Sequence, residues 1–391
     1  MNHSLSQVLQ QRLQQRHAQQ QYRQVATRSG LQGTQVTVAG QALLNFSSND
    51  YLNLAGNPSL IAKVQQQLSY TGLGSGASHL ICGHSEEHEA LCERLQNFIG
   101  APRVMLFSCG YMANLALLTT LFERADLIVQ DKLNHASLID AGRFSDATHR
   151  RFRHLDNESL RQQLRGEFRL TGVVTDGVFS MDGDSANVAQ YLAMPEMNNK
   201  TLIVDDAHGF GVVGHRGVGV TEGLWQDHSE QLILMGTFGK ALGSAGAFVA
   251  GSAVVIDALQ QFARPYVYTT ALSPVAALTT LVAIESLSDH PQWLTQLQQN
   301  IAYFRYAAES EGLPLMPSTS AIQPLLVGDE SSCLTLGEKL RQQGFWVGVI
   351  RPPTVPQNQC RLRITITREH TEPQIKQLVT TLAKLIAKNK D

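Results

Sequence analysis

The sequence has 391 residues, enough for two domains or for one large and one small. Apolar residues make up 43% and charged residues 16%, a globular balance that excludes a disordered or collagen-like chain. With 31 basic and 33 acidic residues the net charge is −2, so nucleic acid or an anionic membrane is not expected as a partner. The 5 cysteines (Cys82, Cys92, Cys109, Cys333, Cys360) form no CxxC pair. Neither a disulfide framework nor a thiolate metal site is therefore expected, and a reducing, cytoplasmic setting fits. No apolar run reaches the roughly 18 residues that span a bilayer. No acidic residue precedes Asp50, whereas Arg12, Arg16, Arg23 and Arg28 do. A transit peptide has that composition, but this segment is Gln-rich and runs straight into patterned sequence.

In chain order, residues 4–24 put Leu5, Val8, Leu9 and Leu13 on one helical face, which predicts a surface helix docked by that stripe. Residues 33–46 alternate around a Gly turn and predict a hairpin. SEEHEALCERLQNFIG has an acidic first turn and a Gly stop, the marks of a helix. Helices then alternate with short apolar runs: RVMLFSCG, ADLIVQD, TGVVTDGVF, TLIVDDAH, LILMGTFG and AGAFVAG. Runs of this length and apolarity predict buried strands of a mostly parallel sheet. Ligands of such sheets sit at the carboxyl ends of the strands, which directs attention to Ser108, Asp131, Asp176, Asp205, Asp206, His208 and Thr237. After Pro291 the order becomes helix, strand, helix, two strands and a terminal helix, a small α+β domain. The expected division is 1–45 for the N-terminal helix and hairpin, 46–285 for the large domain and 286–391 for the small one.

Lys240 is the only charged residue between Glu230 and Asp257, in the glycine-rich stretch TFGKALGSAGA. Lysine is rarely placed in apolar surroundings without a role. Desolvation there favours the neutral amine, a nucleophile able to form a Schiff base. The strand end VDDAH places Asp205 and His208 three apart, a carboxylate and an imidazole suited to a heteroaromatic ligand. A capping turn or a divalent ion would also use such residues, but no Cys or second His stands at ligand spacing nearby, and no metal site is expected. GFGVVG matches the dinucleotide pattern literally. Its acids come before the glycines and no helix pattern follows, so a nicotinamide cofactor is not expected. Gly110 and Tyr111 begin a helix after a strand, where backbone N–H groups accept a phosphate. His135 in DKLNHASL reads first as a capping or core histidine. Arg351 before two prolines is suited to a carboxylate. One ligand uses the lysine, the carboxylate, the imidazole and the helix start together: pyridoxal 5′-phosphate.

LNFSSNDYLNL, GSGASHL, SCGYMAN, DKLNHASL, VVTDGVFSMDGD, VDDAHGFGVVG, TFGKALGSAGA and IRPPTVP, in this order, resemble the α-oxoamine synthases, pyridoxal-phosphate enzymes of fold-type I. The resemblance runs from about residue 20 to the end. It implies an α/β transferase fold, with a mostly parallel seven-stranded sheet between helices in the large domain and a smaller C-terminal α+β domain. It implies a homodimer with shared active sites. By the same resemblance, Lys240 is the Schiff-base lysine and Asp205 the partner of the pyridine nitrogen. His208 and Ser180 stand near the phenolic oxygen, and His135 stacks on the ring. Gly110, Tyr111 and Thr237 hold the phosphate, and Thr270 reaches the phosphate in the other subunit. Asn49 and Arg351 match positions near an amino-acid carboxylate, Arg23 and Thr354 positions near the acyl group. The implied reaction joins L-alanine to a pimeloyl thioester, carried on coenzyme A or acyl-carrier protein, with loss of CO2. The sister reaction, a glycine-using ligase such as 2-amino-3-ketobutyrate ligase, shares most motifs. Asp176 departs from the glutamate usual in the family.

Overall fold

The computed structural model describes residues 4–19 and 21–387. The described chain forms two compact units, one from Asn49 to Gln298 and one from the residues up to Ser48 together with those from Gln299 on.

The 49–298 unit is built on a seven-stranded sheet. Its strands lie in the order Arg103–Phe107, Ala247–Gly251, Leu232–Thr237, Thr201–Asp205, Thr171–Asp176, Leu127–Asp131, Thr148–Phe152. Ala247–Gly251 runs antiparallel to both neighbours and the other pairings are parallel. The mostly parallel seven-stranded sheet is thus present. Leu127–Asp131 and Thr171–Asp176 are buried at every position, which is why they read as unbroken apolar runs rather than alternating ones. The core beside them takes Leu117, Ile128, Val174, Ile203, Ile233 and Val249 among others. Each such side chain contributes about 1.5–3 kcal/mol of burial. The helix Glu86–Ile99 begins on a capping box between Ser85 and His88, carries Glu86, Glu87 and Glu89 in its first turn, and ends at Gly100 in the left-handed region (φ 84°). The acidic first turn and the glycine stop are the local signals that predicted it, and the capping box adds to them.

The second unit carries a six-stranded sheet in the order Arg28–Ser29, Gln35–Val38, Gln41–Phe46, Phe345–Ile350, Cys360–Thr365, Ile322–Gly328. The hairpin Gln35–Val38/Gln41–Phe46 turns at Ala39 and Gly40, both with positive φ (50° and 80°), the geometry of a tight two-residue turn. Gln41–Phe46 then pairs in parallel with Phe345–Ile350. The N-terminal segment and the C-terminal strands, read from the sequence as separate pieces, therefore share one sheet. The helix Leu5–Ala18 forms on a Ser4 capping box. Its stripe is not docked as the sequence suggests: Leu5 is 75% exposed and Leu13 51%, and the helix has no buried residue. Four apolar residues in a glutamine-rich helix set the helical period, but none of them is buried among the described residues.

Candidate active site

Parallel register brings the site together. Asp176 pairs with Asp205, and Asp205 with Met235, so three neighbouring strands end at one level. Beyond these ends lies a cleft. Gly110, Tyr111, His135, Asp176, Asp205, His208, Thr237 and Lys240, eight of the residues singled out in the sequence, line it. Asn114, Ser137, Ala207 and Met235 complete its wall.

Asp205 is 4% exposed. Its Oδ2 accepts from Asn114 Nδ2 (2.7 Å) and its Oδ1 from the Ala207 N–H (3.1 Å). Asn114 Nδ2 also donates to Ser137 Oγ (2.8 Å), which lies 2.7 Å from His135 Nδ1. The Ser137 N–H points at the same ring nitrogen (3.3 Å). With two donors aimed at it, Nδ1 is the acceptor and the ring proton sits on Nε2. His135 is exposed in the cleft, and the protein around its ring displaces part of its water. That desolvation lowers its pKa, Asp205 opposing the shift and Lys240 adding to it. The ring is therefore neutral near pH 7. Asp176 is buried, and burial followed by the nearby Asp205 charge raises its pKa well above the usual carboxylate range. The His135 N–H, bonded to Asp176 Oδ1 (3.0 Å), opposes this. Asn134 fixes the same strand end: its Oδ1 accepts from the Asp176 N–H (3.0 Å). The shorter carboxylate of Asp176 thus reaches the backbone at the start of the His135 helix.

Tyr51 Oη lies 2.6 Å from His208 Nδ1 and 3.4 Å from Asn49 Oδ1, linking both of those residues. The helix Gly110–Leu121 opens into the cleft with Gly110, Tyr111 and Asn114. The first N–H groups of any helix have no intrahelical acceptor, so this end offers donors for an anion. Tyr111 Oη donates to Asp140 (2.6 Å), and Thr237 Oγ to the Gly246 carbonyl (2.9 Å). Lys240 is half-buried at the cleft. Ser180, half-buried in the turn after Phe179, and exposed Thr270 are not among the lining residues.

Arg23, Arg351 and Thr354 belong to the other unit. Arg23 is exposed; Arg351 donates to the Tyr22 carbonyl (3.1 Å), and the Thr354 N–H donates to the Arg351 carbonyl (3.1 Å). That unit therefore gathers residues 22–23 and 351–354 into one neighbourhood.

The GFGVVG stretch is not a nucleotide turn. It folds as successive turns rather than a helix. A Cβ at Gly209 would stand 2.1 Å from Asp206 Oδ1, and one at Gly219 2.0 Å from Oδ2. These glycines enclose a fully buried carboxyl whose pKa burial pushes up to about 8. Sequence reading missed the cleft residues Asn114, Ser137, Ala207 and Met235, and Tyr51, which bonds to His208 behind them. Asn114 had a signal, being the one amide in the apolar helix GYMANLALLTTL. Tyr51 had none, since its partner lies 157 residues away.

The sequence pattern of the class I and II aminotransferases matches residues 41–382. The 8-amino-7-oxononanoate synthase of Cellvibrio japonicus is 47% identical over 98% of this chain and 96% of its own length. The chain belongs to the 8-amino-7-oxononanoate synthase family. Among solved structures, the family member from Francisella tularensis is similar, with a TM-score of 0.77 and 30% identity over 89% of this chain and 99% of that one. Serine palmitoyltransferase from S. paucimobilis, solved with a bound pyridoxal-phosphate–myriocin aldimine, reaches a TM-score of 0.91 at 26% identity over 99% of each chain. These likenesses bear out the fold-type I architecture.

The donor set of the cleft fits pyridoxal phosphate. A buried carboxylate held by an amide suits a protonated ring nitrogen, a helix start suits a phosphate, and Lys240 supplies an amine.

Proposed function

We propose that this chain condenses L-alanine with a pimeloyl thioester to give 8-amino-7-oxononanoate, CO2 and the thiol of the acyl carrier, the step of biotin synthesis its family performs. The single observation that carries this reading is the meeting of Asp205, Lys240 and the Gly110 helix start in one cleft of a chain from that family. Pyridoxal phosphate, when bound, supplies an aldehyde for the lysine or substrate amine and a ring that draws electron density from the amino acid's Cα.

The residues act around that group. Asp205, held by Asn114, keeps a proton at the position of the ring nitrogen. Lys240 Nζ would hold the cofactor, and as a free amine it would remove the Cα proton. Neutral His135 presents a flat uncharged ring to the cofactor face. His208 and Ser180 serve the phenolic oxygen, and Gly110, Tyr111 and Thr237 the phosphate. Asn49 and Arg351 hold the alanine carboxylate, and Arg23 and Thr354 the acyl substrate. The enzyme works as a cytoplasmic homodimer whose partner copy contributes Thr270 to the phosphate. No helix among the described residues is long and apolar enough to cross a membrane.

Borohydride reduction of the holoenzyme followed by peptide mapping tests the centre of this reading: the label is expected on Lys240, and a label on another lysine overturns the assignment. A side-by-side product assay tests the substrates. Alanine with pimeloyl-coenzyme A is expected to outpace glycine with acetyl-coenzyme A; the reverse result replaces the synthase reading with the ligase one.

A further inference from the structure

Three imidazoles follow one another here: His79 in the turn His79–Gly83, wound as a π-helix, His84 just after it, and His88 in the first turn of the helix Glu86–Ile99. His79 and His84 line a cavity that shares no lining residue with the cleft. One ring nitrogen from each of His79, His84 and His88 lies within 4.8 Å of the other two. His79 Nδ1 and His84 Nδ1 face each other at 2.8 Å. On its far side His84 Nε2 lies 3.1 Å from Glu89 Oε2. His79 stacks on Tyr266 (centroids 5.1 Å apart, planes 7° apart), and its Nε2 is buried with no hydrogen-bond partner among the described residues.

We propose that His79 and His84 bind a divalent transition-metal ion of the zinc class between their Nδ1 atoms, with Glu89 orienting His84. The geometry needs little change. Zinc–nitrogen bonds of about 2.0–2.1 Å in a tetrahedral site set ligand nitrogens roughly 3.3 Å apart, so the rings open by about half an ångström. Glu89 accepts the His84 Nε2 proton, which leaves the Nδ1 lone pair turned towards His79. That is the carboxylate–histidine–metal arrangement that fixes a ligand ring and raises its basicity. With the ion on Nδ1, the His79 proton moves to Nε2, the atom that lacks a partner. His88 is not a ligand here. Its Nδ1 accepts from the Ser85 N–H (2.9 Å) and its Nε2 donates to the Leu272 carbonyl (2.6 Å). It walls the site, with ring centroids 5.0 Å from His79 and 5.3 Å from His84. Water fills the remaining ligand positions, facing the cavity.

Calorimetric titration of the untagged holoenzyme with zinc ion, in a non-chelating buffer, tests this. One ion per chain is expected to bind. His84→Ala weakens binding tenfold or more, and His290→Ala, which alters a ring stacked on Trp293, leaves it unchanged. Glu89→Gln, which keeps the side-chain shape, weakens binding about tenfold by releasing the ring. Cobalt ion adds a second readout, a visible tetrahedral spectrum lost in His84→Ala. Absence of saturable binding, or an effect of His84→Ala below tenfold, overturns the proposal.

Discussion

Two groups of one histidine and two aspartates stand at the carboxyl ends of neighbouring strands, and they have opposite characters. In the first, His135, Asp176 and Asp205 face the cleft. In the second, His154 lies between Asp131 (Nδ1 to Oδ1, 3.0 Å) and Asp184 (Nε2 to Oδ2, 2.9 Å). Asp131 also accepts from the N–H groups of Leu133 and Leu155. Here both ring nitrogens are bound to carboxylates. Their hydrogen bonds and charges outweigh the cost of burial and raise the His154 pKa to about 10. In the cleft no such closure exists: desolvation dominates, His135 is lowered and Asp176 raised. The same residue types make a structural clamp where they saturate one another, and a chemical site where their capacity is turned towards a cavity.

The largest effect expected at the cleft is from Lys240→Ala, which removes the amine that both holds the cofactor and moves the Cα proton. Turnover should fall by about 10³ or more while the apparent melting temperature of the apoenzyme changes little. Retained turnover breaks the reading of the cleft. Asp205→Asn should follow, with a loss of about 10² or more in kcat, because a fixed charge in a dry site acts on the transition state itself. Its counterpart in the clamp is Asp131→Asn. That change leaves His154 with one carboxylate. It should cost about 3 kcal/mol in chemical denaturation and leave kcat largely intact. If Asp131→Asn lowers kcat as much as Asp205→Asn does, the contrast between clamp and cleft is false.

The pH dependence sharpens the same contrast. In the unfolded chain His154 titrates near 6.5, and in the folded chain near 10. The folded state therefore binds the proton more tightly. The resulting stability is fully present below about pH 6.5 and is lost as pH rises towards 10. Denaturation midpoints should fall across that window, and His154→Gln should flatten the fall. A slope unaltered by His154→Gln rejects the clamp as its source.

The sheet was legible because fully buried parallel strands are continuous apolar runs bounded by turns, and their polar endings marked the cleft. Register, which aligns Asp176 with Asp205, is a property of pairing between distant segments and was not legible. Nor was the difference between the two histidines. His135 and His154 each follow a strand by a few residues, and only the third dimension shows that His154 meets Asp184 while His135 meets Ser137. The exposed stripe of Leu5–Ala18 failed for the same reason: helical period is local, whereas docking needs a partner surface.

The smallest effect isolates the link between Asn49, Tyr51 and His208. Tyr51→Phe keeps the buried ring, since the residue is fully buried, and deletes one hydroxyl 2.6 Å from His208 Nδ1. A neutral hydrogen bond of this kind is worth about 1 kcal/mol net, so kcat should fall roughly fivefold. A purely structural role for the hydroxyl would lower the melting temperature and leave the pH profile alone. A positioning role does the reverse. Without the Tyr51 hydroxyl, His208 is held less firmly in the cleft, and the pH dependence of kcat and the visible spectrum of the holoenzyme should shift while the denaturation midpoint stays nearly constant. Tyr51→Phe that loses stability with an unshifted spectrum assigns the bond to the clamp class, as a contact that holds the fold and does not serve the cleft.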